Sequence, residues 1–309
     1  MDPEARKNIL VVTLSNIGDV ILTTPVIASL RSRFPAAHLT VVVGPKAAGI
    51  LEGSSQIDRL LIYDKRAGWA HRFRLVRQLR EKSYDWAVDL RNSGLPFFVR
   101  ANRRSSVFRF HRTRRARDRH LEILQWMKLS DDFPSAFDFH SKEDEDALSE
   151  KLRKKDRPLS SPWIVMAPGA GSKAKRWRIE GFCEVADRVL ETSSFYIAVV
   201  GDSSEKLLGA KLAEIDSNRV LNLTGEISLR ELAALVARAK LILSNDSAVM
   251  HLGYELNRPV VALFGPTDHE KYGRENKMWK IVRDPAMERI SPEKVFETCS
   301  ELLNRIPQV

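Results

Sequence analysis

Cysteine is scarce in this chain: Cys183 and Cys299 are its only two. They lie far apart and without metal-ligand spacing. That argues against a disulfide framework or a zinc site, and for buried or free thiols in a reducing compartment. Long apolar runs are missing too, and none approaches the roughly 20 residues that cross a bilayer. Residues 1–7 are charged, and the apolar run after them is broken by Asn16, Gly18 and Asp19, which does not fit a signal peptide. The cytoplasm is therefore the expected location. No turn gathers the aspartates that hold Mg²⁺, so no metal and no resident cofactor are expected. There is no internal repeat.

What is present is a globular balance of 43% hydrophobic and 29% charged residues, in a chain of 309 that is long enough for two domains. The net charge is +10, and most of the excess is local. Residues 100–120 hold nine arginines and one aspartate, a balance of +8. A concentration of this kind speaks for an anionic partner at one place.

Residues 9–14 form a short, β-branched apolar run that suits a buried parallel strand. The polar turn Ser15-Asn16-Ile17-Gly18-Asp19 follows, and then a helical period over 20–30, where Pro25 is tolerable near the first turns. Residues 38–43, 59–63 and 84–90 read as further strands, with a Gly44-Pro45 turn, a short helix to residue 51 and a helix over 69–80 between them. A strand is expected near 107–110, a helix over 120–129 and a charged helix over 143–155. Residues 157–162 have linker composition, which sets the domain boundary at 157/158. The second half repeats the alternation, with strands at 163–167, 196–200, 220–223, 241–243, 260–264 and 279–282. Helices run to about residue 192, after 205, over 228–238 and over 291–303. Ser228 with Glu231 predicts a capping box. This α/β pattern implies doubly wound parallel sheets, whose ligands bind at the C-terminal strand edges.

One stretch organises the second half. Leu241-Ile242-Leu243 runs into Ser244-Asn245-Asp246-Ser247, then a helical pattern, then a second apolar run ending in Gly265-Pro266-Thr267-Asp268. Asp246 and Ser247 are good helix N-caps, and the first-turn N–H groups could face an anion such as a pyrophosphate. The plainer alternative is one more capped turn.

Four segments together resemble glycosyltransferase family 9, the ADP-heptose:lipopolysaccharide heptosyltransferases. They are residues 14–25, from Leu14-Ser15-Asn16 to Thr24-Pro25; Pro168-Gly169-Ala170 through Lys175-Arg176-Trp177; Gly201-Asp202-Ser203-Ser204-Glu205; and Asn245-Asp246-Ser247 with Met250-His251-Leu252, continuing through 259–268. The resemblance implies a GT-B fold of two Rossmann-like domains with a cleft between them. Residues 1–157 would bind the acceptor and 158–290 the ADP-sugar, and 291–309 would cross back to the first domain. It implies an inverting glycosyltransferase that moves a heptose from ADP-heptose to the lipopolysaccharide inner core or a related anionic glycan. After Asp246-Ser247 the family usually has glycine, where this chain has Ala248.

Sugar transfer needs a base for the attacking hydroxyl, stabilisation of the departing diphosphate, and close, dry substrates. The resemblance carries the catalytic aspartate onto Asp19, whose alternative is a first-turn aspartate favoured by the helix dipole. It carries the phosphate-binding lysine onto Lys175, with Lys173, Arg176 and Arg178 as neighbours. Donor contacts are implied at Ala170, Gly171, Ser247, Ala248 and His251. Asp246 would meet sugar hydroxyls or cap its helix. Glu205 is either a ribose acceptor or a capping glutamate, Ile227 flanks adenine or fills core, and His251 could equally be structural.

Acceptor contacts are expected at Ser15, Asn16 and Gly18. Further ones are expected within the basic stretch of Arg100, Arg103, Arg104, Arg109, Arg112, Arg114, Arg115, Arg117 and Arg119, namely at Arg103, Arg104, Arg112, Arg119 and the adjoining His120. These arginines suit carboxylates and phosphates of a glycolipid, or an anionic inner leaflet, or simply a solvated loop. With only Phe108 and Phe110 to stack on bases, nucleic acid is not expected. Two alternatives to transfer remain: a GT-B-like sugar-nucleotide epimerase, or a binding protein that has kept the fold and lost catalysis.

Overall fold

A computed structural model describes residues 7–13, 15–106, 111–129 and 136–305. It divides into two compact units, Met1–Phe139 and His140–Val309.

The first unit is a parallel sheet of β1 (Asn8–Val12), β2 (His38–Val43), β3 (Arg59–Ile62), β4 (Ser83–Asp89) and β5 (Arg100–Arg104) in the order β3-β2-β1-β4-β5. Its helices are α1 (Ile17–Ile21), α2 (Thr24–Arg33), α3 (Ala48–Leu51), α4 (Trp69–Arg80) and α5 (Ala116–Trp126). β1 is central, with Val11 paired to Val41 on one side and Val88 on the other. Covered on both faces, it reads as an unbroken apolar run. The single helix expected over 20–30 is two. Pro25 cannot donate to the carbonyl of Ile21, and the Thr24 hydroxyl takes that acceptor instead at 2.8 Å. β5, with the sequence Arg-Ala-Asn-Arg-Arg, has no strand signature. It forms because β4 offers it a ladder, with Arg103 opposite Trp86. The strand expected at 107–110 lies outside the described residues.

The second unit begins with α6 (Lys142–Arg153), followed by a sheet of β6 (Trp163–Ala167), β7 (Tyr196–Val199), β8 (Val220–Asn222), β9 (Leu241–Asn245), β10 (Val260–Phe264) and β11 (Trp279–Arg283). These strands are parallel in the order β11-β10-β9-β6-β7-β8. Between and after them lie α7 (Ile179–Thr192), α8 (Lys206–Ala213), α9 (Leu229–Arg238), α10 (Ala248–Glu255), α11 (His269–Tyr272) and α12 (Pro292–Asn304). The predicted capping box is formed: Ser228 Oγ accepts from Glu231 N at 3.1 Å, and Glu231 Oε2 accepts from Ser228 N at 2.6 Å.

The division between units falls at 139/140 and not at the expected 157/158. The linker-like residues after α6 are internal, because α6 packs on α9. Lys151 pairs with Glu231 at 2.7 Å, Arg238 with Glu145 at 2.8 Å and Arg230 with Asp144 at 2.8 Å. α12, expected to return to the first domain, puts Val295, Cys299 and Leu302 into the core of the second unit beside α7. Burying Val295 and Leu302 there is worth about 1.5–3 kcal/mol each. Both cysteines are free, and burial pushes the Cys299 thiol up to about 12, leaving it inert.

Asp144 closes the α6 capping box and also holds the nearly buried Arg230. Burial alone would raise its pKa, but the Ser141 N–H and Arg230 outweigh that and hold the carboxyl below its ordinary 3.8. The stabilisation is complete above the unfolded value and is lost as pH falls through the lower folded one. Asp144→Ala should therefore cost about 2–3 kcal/mol at neutral pH, from a lost cap and a lost charged partner for the nearly buried Arg230. Chemical denaturation should show the variant's deficit shrinking below pH 3.8; a deficit that is constant with pH would refute the assignment.

Candidate active site

In the second sheet the winding reverses between β6 and β9, so the loops leaving these neighbours diverge and open a crevice at their C-terminal ends. The loop after β6 carries Lys175 and the turn after β9 carries Asp246. Lys175 Nζ lies 2.8 Å from Asp246 Oδ2, joining the two loops. Asp246 is nearly buried, while a third of the Lys175 side chain is exposed. The ammonium also stands 5.9 Å from the Tyr272 ring centroid. Asp246 was expected to cap α10 or meet sugar; its carboxylate pairs with Lys175.

Ser247 occupies the N-cap position of α10, but its side chain does not cap. Its hydroxyl lies 2.8 Å from Ser244 Oγ instead. The first-turn N–H groups of α10, beginning at Ala248, are thus left without a side-chain cap, about 1.5 Å of rise per residue apart. Ala248 is half-buried there. His251, one turn in, is buried with its ring edge-on to Tyr254 and Tyr272, at 6.5 and 6.2 Å between centroids.

Asn245 positions the whole loop. It is fully buried; its Oδ1 accepts from Trp177 N at 3.1 Å, and its Nδ2 donates to Pro168 O at 2.8 Å and Gly169 O at 3.3 Å. The Trp177 indole donates in turn to Ile290 O at 3.0 Å. Lys175 is held between these anchors. Its neighbour Arg176 donates to Ala170 O, and Arg178 pairs with Glu184 at the surface. Gly171 is exposed, with open space where a Cβ would stand.

Glu205 forms a capping box with Asp202, accepting from its N–H at 3.1 Å. Its carboxylate is threaded between two strand ends: a Cβ on Gly169 would fall 1.8 Å from Oε1, and one on Gly201 2.4 Å from Oε2. Those glycines exist to admit it. Burial raises the Glu205 pKa, with the Asp202 N–H and Arg176, 3.6 Å away, acting against that. Ile227 is half-buried in the turn before α9.

The first unit repeats the arrangement. Its winding reverses between β1 and β4, and the loops after both carry polar groups. Asp19 sits in the first turn of α1, where Asn16 Nδ2 donates to its Oδ2 at 2.9 Å. Asn16 is the N-cap residue, yet it spends its amide on Asp19. Gly18 lies between them in the same turn. Arg91, beyond β4, donates to Ser15 Oγ at 2.8 Å. Asp89, buried at the end of β4, accepts from the N–H groups of Arg91, Ser93 and Gly94. Gly44 lets the Ser15 loop lie against β2, since a Cβ there would come 2.8 Å from Ser15 Cα. Asp89 and Arg91 escaped the sequence analysis. The signal was a polar, glycine-containing turn, 89–94, directly after a buried strand.

The arginines expected to meet the acceptor are spread over several elements. Arg103 and Arg104 lie on the edge strand β5, two strands from β1 and so about 10 Å away. Arg104 braces the carbonyls of Pro96 and Val99, and Arg119 that of Thr113. Arg103 and Arg112 are exposed; His120 is half-buried in α5. Among the described residues, no group of three or more His, Cys, Asp or Glu side chains is placed to hold a metal.

Asn245→Ala would strand the Trp177 N–H and the Pro168 carbonyl without their partner. It should cost about 2–4 kcal/mol of stability and speed hydrogen exchange at the Trp177 amide; unchanged exchange there would show that Asn245 does not hold the loop.

Comparison with known proteins agrees with the geometry. Residues 72–300 match the family model of glycosyltransferase family 9 (heptosyltransferase). Lipooligosaccharide heptosyltransferase 2 of Haemophilus ducreyi is 26% identical over 309 aligned positions, covering 89% of this chain and 88% of its own. A glycosyl transferase family 9 structure from Veillonella parvula superposes with a TM-score of 0.84 at 23% identity, over 97% of this chain and 98% of its own. The ADP-heptose lps heptosyltransferase II of E. coli does so at 0.80 and 22%, over 96% and 99%. These likenesses show the GT-B fold. The chain belongs to glycosyltransferase family 9, the heptosyltransferases, and is a glycosyl-transferring enzyme.

Proposed function

We propose that this enzyme moves a heptose from ADP-heptose to the inner core of a lipopolysaccharide or a related anionic glycan, with inversion and without a metal ion. The observation that carries the proposal is the Lys175–Asp246 pair beside the uncapped first turn of α10. An ammonium has three donors, and one is spent on Asp246. The other two suit the oxygens of a diphosphate, and the N–H groups from Ala248 onward favour the same anion. Asp246, neutralised by Lys175, no longer repels it. The names of the relatives point the same way: that of the Haemophilus ducreyi protein specifies lipooligosaccharide, and that of the E. coli structure ADP-heptose.

In this mechanism the acceptor hydroxyl attacks the anomeric carbon on the face opposite the diphosphate. Asp19 takes the hydroxyl proton as the new C–O bond forms. The bond from the anomeric carbon to the diphosphate oxygen breaks, and Lys175 with the start of α10 receives the leaving charge. Asn16 holds one oxygen of Asp19, leaving the other for the proton. Glu205, whose carboxylate stands beside Arg176, is assigned to a ribose hydroxyl, and Ile227 supplies an apolar surface for adenine. Ala170, Gly171, Ser247 and, through packing, His251 complete the donor half. Ser15, Asn16, Gly18, Arg103 and Arg112 are assigned to the acceptor; Arg104, Arg119 and His120 support them.

Calorimetry with ADP, UDP and GDP tests the donor. ADP should bind best, and Lys175→Ala should weaken it about tenfold to a hundredfold, the worth of a charged hydrogen bond. A preference for UDP or GDP would remove ADP-heptose from consideration. In an assay run with excess chelator, Asp19→Asn should keep ADP affinity and lose roughly 10²–10⁴ in turnover. Near-wild-type turnover would exclude Asp19 as the base, and donor consumption without acceptor would favour epimerisation.

A further inference from the structure

We propose that the outward stripe of α4, with the 3-10 turn at Leu95–Phe98, docks the first unit onto an anionic bilayer surface. Four aromatic side chains are set out in water here: Trp69 is 83% exposed, Phe73 74%, Phe97 63% and Phe98 58%. At about 100° per residue, Trp69, Phe73, Val76 and Arg80 fall on one stripe of α4. Leu75 and Leu79, on a separate face, are buried in the core of the unit. The helix is therefore anchored through one face and shows aromatics on the flank roughly 100° around from it. Arg80 Nε donates to Phe98 O at 2.8 Å, which ties the end of the stripe to the turn that carries Phe97 and Phe98. Leu95 of that turn packs on the same core cluster.

Charge selects the occupant. Between Trp69 and Arg80 there are four arginines and no carboxylate. Arg72 stands 5.4 Å from the Trp69 ring centroid, a cation beside an aromatic face. Aromatic rings at headgroup depth with arginines beside lipid phosphates are the chemistry of an interfacial helix. A second copy of this face would bring arginine against arginine without an acid between them. A single-stranded nucleic acid asks for a groove that tracks its backbone, whereas these rings stand out from the convex side of a helix. The proposal does not depend on the donor or acceptor assigned above.

Co-flotation of the full chain with vesicles tests it. The protein should float with phosphatidylcholine vesicles that contain phosphatidylglycerol and much less with phosphatidylcholine alone, and added salt should release it. Trp69→Ser with Phe73→Ser should lower partitioning by about tenfold or more, given the apolar surface removed. Both residues are exposed, so the melting temperature should hold. Arg72→Glu with Arg77→Glu, which keeps the aromatics, should also reduce partitioning. The proposal is overturned if the wild type ignores anionic vesicles, if either double variant floats as well as the wild type, or if flotation requires a glycolipid acceptor. It is equally overturned if the Trp69/Phe73 variant only dissociates an oligomer in sedimentation without changing vesicle binding.

Discussion

Parallel strands are joined by right-handed crossovers, so a sheet that grows first to one side of a strand and then to the other must send its connections to opposite faces at that point. Both sheets of this protein obey the constraint, at β1/β4 and at β6/β9. In each, the divergence leaves a crevice at the C-terminal strand ends, and polar contacts span it. Lys175 to Asp246 does so in the second unit and Arg91 to Ser15 in the first. The candidate donor half and the Asp19 loop are products of the same topological rule.

Such crevices hold their shape only if the buried polar groups beneath them are satisfied, since an orphaned one costs as much as several packed methylenes recover. Asn245, Asp89 and Glu205 are the groups concerned. Asn245 answers one backbone donor and two carbonyls. Asp89 collects three backbone N–H groups from the turn that follows it. Glu205 fits only because Gly169 and Gly201 lack side chains. None of the three needs to touch substrate to decide where Lys175, Ser15 and the neighbouring backbone stand.

Positive charge is spent in two ways. Arg104 and Arg119 brace backbone carbonyls, and Arg230 stitches α6 to α9. The arginines of β5 also lie on a sheet edge, where charge discourages pairing with another chain. Others, on α4 among them, face solvent beside exposed rings. A net charge of +10 therefore does not measure one binding site. It sums structural braces, a protected edge and surface that is open to an anionic partner.

Hydrophobic period alone made most strands and helices legible, because a doubly wound sheet buries its strands on both faces and its helices on one. Local chemistry also gave the Ser228–Glu231 box and the prominence of the turns at Asp19 and Asp246. β5 was illegible because its stability comes from the ladder offered by β4 and not from its own side chains. The break at Pro25 is local, set by its missing N–H and the adjoining Thr24 hydroxyl, whereas the unit boundary at 139/140 depended on α9, far along the chain. The sequence by itself determined the α/β class, the family and the order of the site turns, since these rest on local pattern. Only the tertiary structure decided that Asp246 belongs to Lys175, that Ser247 leaves α10 uncapped, and that Asn245 holds the loop between them. Those outcomes turn on which polar groups meet within hydrogen-bond distance, and for Lys175 and Asn245 that is settled by packing across 70 or so residues of intervening chain.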